Sequence, residues 1–123
     1  MKQPGRDPVL DVLLDLDGQV LVVDPAGRHW VRFVVHRVAK SPGCPHGLSY
    51  SLSLHDAEGG RLVGFDNAHP VRESRGPGGK AERACDHKHR LGTVRPYRFT
   101  SAAALLEDFW REVDGVLKEK GAL

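Results

Sequence analysis

Cysteine is scarce. Cys44 and Cys85 are the only two in 123 residues, too few for a disulfide framework or a thiolate zinc site, and they read as free thiols of a reducing compartment. Long apolar runs are missing as well. No stretch approaches the roughly 20 residues that a membrane-spanning helix needs, and the opening MKQPGRDPVL lacks the apolar core of a secretion signal. A cytoplasmic protein without membrane contact is the expectation. Aromatic residues make up only 7% of the chain, which leaves no base-stacking platform in view, and Tyr50 and Tyr97 are read as packing residues. The sequence has no P-loop, no dinucleotide glycine fingerprint and no G-x-S-x-G elbow. Cys85 and His87 fall on one side of an extended segment, but no oxyanion arrangement accompanies them.

What is present is an uneven charge. The formal net charge is +2, yet residues 1–24 carry two basic against five acidic groups. Residues 61–100 carry nine basic against four acidic, and the last 23 residues return to three against five. A basic centre between acidic ends suits a polyanion-binding surface, or merely solvated arginine-rich loops.

Length and hydrophobic content (40%) suit one globular domain. Residues 1–8 read as a disordered lead-in and 9–121 as the single domain. Val9–Leu16 is apolar and Asp17-Gly18 is a strong two-residue turn signal, so 9–23 reads as a β-hairpin. His29–Val38 alternates, with Val31, Phe33 and Val35 on one face and Trp30, Arg32, Val34 and His36 on the other. Leu48–Leu54 alternates too, Tyr50, Leu52 and Leu54 against Ser49, Ser51, Ser53 and His55. Asp56–Gly60 is a hairpin turn into a strand at Arg61–Phe65. Residues 70–83 lack periodicity and read as a long loop. Thr93–Phe99 is a last strand that Pro96 confines to an edge or bulge. Ser101 then caps an amphipathic helix with Leu105, Leu106, Phe109, Trp110, Val113, Val116 and Leu117 on one stripe, stopped near Gly121. The expected architecture is α+β: an antiparallel β-meander of five to six strands with the C-terminal helix packed on one face.

Titratable groups concentrate between Gly64 and Arg90, GFDNAHPVRESRGPGGKAERACDHKHR. In an extended Asp86–Arg90, His87 and His89 project from one face and Lys88 from the other. Two histidines on one side suit proton transfer, one accepting while the other donates. With Asp66, Asp86 or His69 they equally suit a metal, and two histidines at this spacing are often merely structural. Asp66 and Asn67 also fit simple turn capping. Lys88, Arg90, Arg95 and Arg98, with Arg72, Arg75, Lys80 and Arg83 from the loop, are candidates to bind RNA phosphates.

The blocks HGLSYSLSLHD, RLVGFDNAH, DHKHR, PYRF and LLEDFW resemble the TumE-type toxin family of bacterial toxin–antitoxin modules, over about residues 28–118. The resemblance implies a small toxin neutralised by a cognate DNA-binding antitoxin. Combined with the residues, it leads to the expectation of a ribonuclease without cofactor or metal. His87 and His89 are its acid–base pair, Arg90 its phosphate binder, Asp66 or Asp86 the group that orients an imidazole, and His69 a reserve. One alternative is a metal-dependent nuclease using Asp66, His69, His87 and His89. Another is a module that binds RNA or protein without catalysis.

Overall fold

Strict alternation in two long segments makes the centre of a sheet. In the computed structural model, which describes residues 8–41, 46–67 and 86–123, six antiparallel strands lie side by side in chain order. They are β1 (Val20–Val22), β2 (Trp30–Arg37), β3 (Leu48–His55), β4 (Arg61–Asp66), β5 (His87–Arg90) and β6 (Thr93–Pro96). Helices α1 (Leu10–Asp15) and α2 (Ala102–Glu119) complete an α+β fold. The meander and the C-terminal helix follow the expectation. The lead-in, apart from Pro8, and the 70–83 loop lie outside the described residues.

One face of the sheet is apolar because every second residue is. Val31, Phe33 and Val35 stand beside Tyr50, Leu52 and Leu54, and then Val63 and Phe65; all are buried with Leu105, Phe109, Val113, Val116 and Leu117 of α2. Phe109 is the knob of this packing, edge-on to Phe33 at 5.8 Å and to Phe65 at 6.0 Å. Helix α2 starts where Ser101 Oγ accepts the Ala104 N–H at 3.1 Å. It ends where Gly121, at φ +75°, lets the Ala122 N–H turn back to the Leu117 carbonyl at 2.8 Å.

The first hairpin needs correcting. Val9–Leu16 is not a strand: Leu10, Leu13 and Leu14 recur at helical spacing and form α1, with Leu13 wholly buried. Nor does Asp17-Gly18 join two strands. The Gly18 N–H donates to the Phe33 carbonyl at 2.8 Å, and the Asp17 carboxylate accepts the Val35 N–H at 2.9 Å. Asp17 thereby satisfies β2 beyond the end of the short β1.

Other polar side chains continue the ladder in the same way. Asn67 Oδ1 accepts the Tyr50 N–H at 2.8 Å and its Nδ2 donates to the Leu48 carbonyl at 2.7 Å, extending β4 by one residue. Asn67 is buried and serves the fold. Between β5 and β6 the chain reverses through Leu91 and Gly92, both at positive φ (50° and 90°), as a tight hairpin turn requires. Strand β6 is exposed along its length, which explains why Pro96 is tolerated there.

Candidate functional site

The face turned away from α2 carries the polar alternates, and β4 and β5 bring the notable ones together. Gly64 stands opposite His89 and Asp66 opposite His87. Diagonal neighbours across an antiparallel pair are within reach of long side chains, and His89 Nε2 lies 3.2 Å from Asp66 Oδ2. His87 is buried on the same face.

A third group, Arg61, joins them through a register shift. From Asp66 back to Val63, β4 alternates regularly, a parity that would send Arg61 toward α2. A bulge between Leu54 and His55 reverses it, so that Arg61 pairs with His55 on the polar face. Its side chain then lies across Gly64. A Cβ at Gly64 would stand 3.1 Å from the Arg61 Cδ, so the glycine leaves room for the arginine. Arg61 Nη2 is 3.1 Å from His89 Nδ1, and Nη1 is 3.8 Å from Asp66 Oδ2.

The geometry assigns the proton. A guanidinium only donates, so His89 Nδ1 accepts from Arg61 and the ring proton sits on Nε2, facing Asp66. Burial holds the His89 imidazole below the ordinary histidine value. The charges of Arg61 and His87 push the same way, while Asp66 opposes them. A neutral imidazole, steadied by a carboxylate at one nitrogen and touched by a cation at the other, can accept a proton when an anion draws the cation aside.

The remaining expected residues fall elsewhere. Asp86 does not meet His87 or His89. Its Oδ2 accepts the Tyr50 hydroxyl at 2.6 Å and lies 3.1 Å from His46 Nε2, on the core side of the sheet. Burial and this carboxylate push the Tyr50 phenol far above its usual value. His46, its ring tilted against Phe99 at 4.3 Å, enters the sequence only as the first residue of the HGLSYSLSLHD block, after a Pro- and Gly-rich loop. Arg90 also faces α2, where it pairs with Glu112 at 2.8 Å and with Glu119. Lys88 pairs with the same Glu112 at 3.2 Å. Lys88, Arg90 and Glu112, together with Thr93 and Arg95, line a groove of about 470 Å³ between the β5–β6 hairpin and α2. Arg98 lies just beyond β6 and is exposed. His69, Arg72, Arg75, Lys80 and Arg83 lie outside the described residues, as do Cys44 and Cys85. Among the described residues no three of His, Cys, Asp and Glu stand together as a metal site.

Among the described residues, no helix is long and apolar enough to cross a membrane. No curated protein and no solved structure matches this chain. The family model described as toxin TumE matches residues 17–117, a span that takes in every strand, the Asp66–His89–Arg61 cluster and most of α2. The chain therefore belongs to the TumE toxin family, as the toxin of a toxin–antitoxin module whose partner is an antitoxin.

Proposed function

We propose that this toxin is an endoribonuclease that uses no bound metal and cuts RNA by attack of a ribose 2′-hydroxyl on the adjacent phosphate. The observation that carries the reading is the contact of His89 with Asp66 on one ring nitrogen and Arg61 on the other. A backbone phosphate draws the Arg61 guanidinium onto itself and frees His89 Nδ1. That nitrogen takes the 2′-hydroxyl proton while Asp66 stabilises the imidazolium that forms. The 2′-oxygen bonds to phosphorus, the bond from phosphorus to the 5′-oxygen breaks, and His87 protonates the departing oxygen. Arg61 holds the charge of the phosphorane. It takes the part expected of Arg90, which is committed to Glu112 and Glu119. His69 stays a reserve acid–base group. Arg95, on the far side of the sheet, holds a phosphate of RNA passing round the β6 edge, while Lys88 shares Glu112 with Arg90.

Arg61 also favours the metal-free reading over the metal-dependent one. It already sets a positive charge 3.8 Å from Asp66 Oδ2, the carboxylate a divalent ion would need, and that charge repels a second cation there. The antitoxin is read as a DNA-binding protein encoded beside the toxin, and the cytoplasm as the site of action.

The products test this chemistry. Purified toxin in excess chelator is expected to leave 2′,3′-cyclic phosphate and 5′-hydroxyl ends, and a single 2′-deoxy sugar at the cut is expected to block cleavage there. Cleavage that stops in chelator and returns with added metal favours the metal-dependent alternative. RNA bound but left whole points to a non-catalytic module.

The pH profile gives a second expectation. Because burial and Arg61 depress the His89 value, the base becomes protonated only at a pH below about 6.5, the ordinary histidine value. The acid limb of the rate should therefore lie below that pH. Arg61→Ala removes one depressing charge and should move the limb upward. The same depression has a stability consequence of fixed sign. Between the ordinary value and the lower folded value the unfolded chain binds the extra proton, so stability falls as pH falls through that window. Rate profiles and denaturant midpoints against pH check both.

A further inference from the structure

We propose that Trp30 and His55 form a stacking shelf for one base of a single-stranded RNA, beside the phosphate-binding position of Arg61; the proposal rests on the ribonuclease reading above. Trp30 and His55 are direct partners across β2 and β3, and their rings stack at 4.3 Å with planes 16° apart. The pair lies on the same face as His89. His55 in turn stands opposite Arg61, and Arg61 reaches His89 Nδ1 at 3.1 Å. Three adjacent strands thus present tryptophan, imidazole and guanidinium in one row, and the guanidinium reaches over Gly64 to the His89 imidazole on the fourth. Strands β2 and β5 lie three spacings apart, about 14 Å across the sheet, enough for a scissile phosphate and a neighbouring nucleotide.

The electrostatics of the row fit a nucleotide. His55 is held below the ordinary histidine value by burial and by the charges of Arg61 and Arg32, and its Nε2 is 2.8 Å from Ser53 Oγ. The stacked pair is therefore an uncharged aromatic surface with a guanidinium on either side. Arg32 is exposed and has no ion pair among the described residues, so its charge is available to a second phosphate. Beyond Trp30, β1 adds only Val20 and Val22 to this face, 56% and 63% exposed. A neutral ring stack flanked by two cations suits one more base added to its outer face, with the flanking phosphates on the arginines, since any base can stack and arginines track the backbone. A protein segment docking on these valines would have no use for both arginines.

Trp30 can report on its own occupancy. In the Trp110→Phe variant of the full chain it is the sole tryptophan. A 2′-O-methyl oligoribonucleotide, which cannot be cut by 2′-hydroxyl attack, is titrated in while emission and oligonucleotide anisotropy are followed together. The expected result is saturable quenching that tracks binding and disappears when one position next to the cut is made abasic. Trp30→Ala should weaken binding on the order of tenfold to a hundredfold, the range for loss of one stacked base. Trp30→Phe, which keeps an aromatic ring, should recover part of it. Cleavage of unmodified RNA with Trp30 emission unchanged on binding, and with no abasic sensitivity, overturns the shelf and leaves the ribonuclease standing. Neither binding nor cleavage of RNA overturns both. Quenching by the antitoxin alone, with none by RNA, assigns this face to protein contact and overturns the shelf.

Discussion

His89→Ala is expected to lower RNA cleavage by about 10²–10⁴-fold, the usual contribution of a positioned acid–base group, while the chain stays folded. The fold should survive because His89 stands on the polar face of the sheet, outside the apolar core. Asp66→Asn keeps the shape but removes the charge that stabilises the imidazolium, so a large loss is expected there as well. Combined, the two changes should cost little more than the worse one alone, since groups that act as a unit are not additive. Arg61→Ala should cost about 10²–10³-fold, as loss of one donor to the developing charge does elsewhere. Arg90→Ala is the informative contrast. Its partners Glu112 and Glu119 are on α2, so it should loosen the helix and leave the rate of the folded protein nearly unchanged. Single-turnover cleavage, with circular dichroism to confirm folding, reads all five proteins. If His89→Ala arrests bacterial growth and fragments RNA as wild type does, the catalytic assignment is wrong.

Asp86→Ala should have the largest effect on stability, about 2–6 kcal/mol, roughly 1–3 for each of two buried donors left without their acceptor. Asp86 accepts from the Tyr50 hydroxyl and pairs with His46 where solvent scarcely reaches: the side chains of His46 and Asp86 are 14% and 10% exposed, and Tyr50 is 1% exposed. Removing the carboxylate strands both partners in a site of low dielectric. A domain of this size has only roughly 5–15 kcal/mol in total, so the variant should unfold at a much lower denaturant concentration. Tyr50→Phe removes one hydroxyl and leaves the His46 pair, and about 1 kcal/mol is expected. Urea unfolding measures both. A stable Asp86→Ala protein with no cleavage would return Asp86 to the catalytic role that its place beside His87 in the sequence suggests.

Alternation makes most of the sheet legible in the sequence alone. The inward faces of β2 and β3 follow from apolar residues at every second position, because a pleated strand has no other way to present them to one core. Helix α2 was equally plain: Ser101, the apolar stripe and Gly121 act locally and agree with one another. Parity also separates Arg90 from His89, since neighbours on a strand point to opposite faces. The segment before β1 misled because Leu10, Leu13 and Leu14 fit a short helix as well as a strand, and an Asp-Gly turn is as useful for meeting β2 as for closing a hairpin.

The site is another matter. Sequence determined which residues were able to do chemistry and that His87 and His89 share a side. Tertiary structure decided their company. It set β4 against β5 in the register that joins Asp66 to His89, and it drew Asp86 into the core with Tyr50 and His46. Through one bulge it turned Arg61 from the helix side to the histidine side, over the bare backbone of Gly64. Strand register and bulges are set by how whole faces pack across the sheet. Such cross-strand choices leave no mark at the residue they redirect, which is why Arg61 read as one more basic residue until the sheet was assembled.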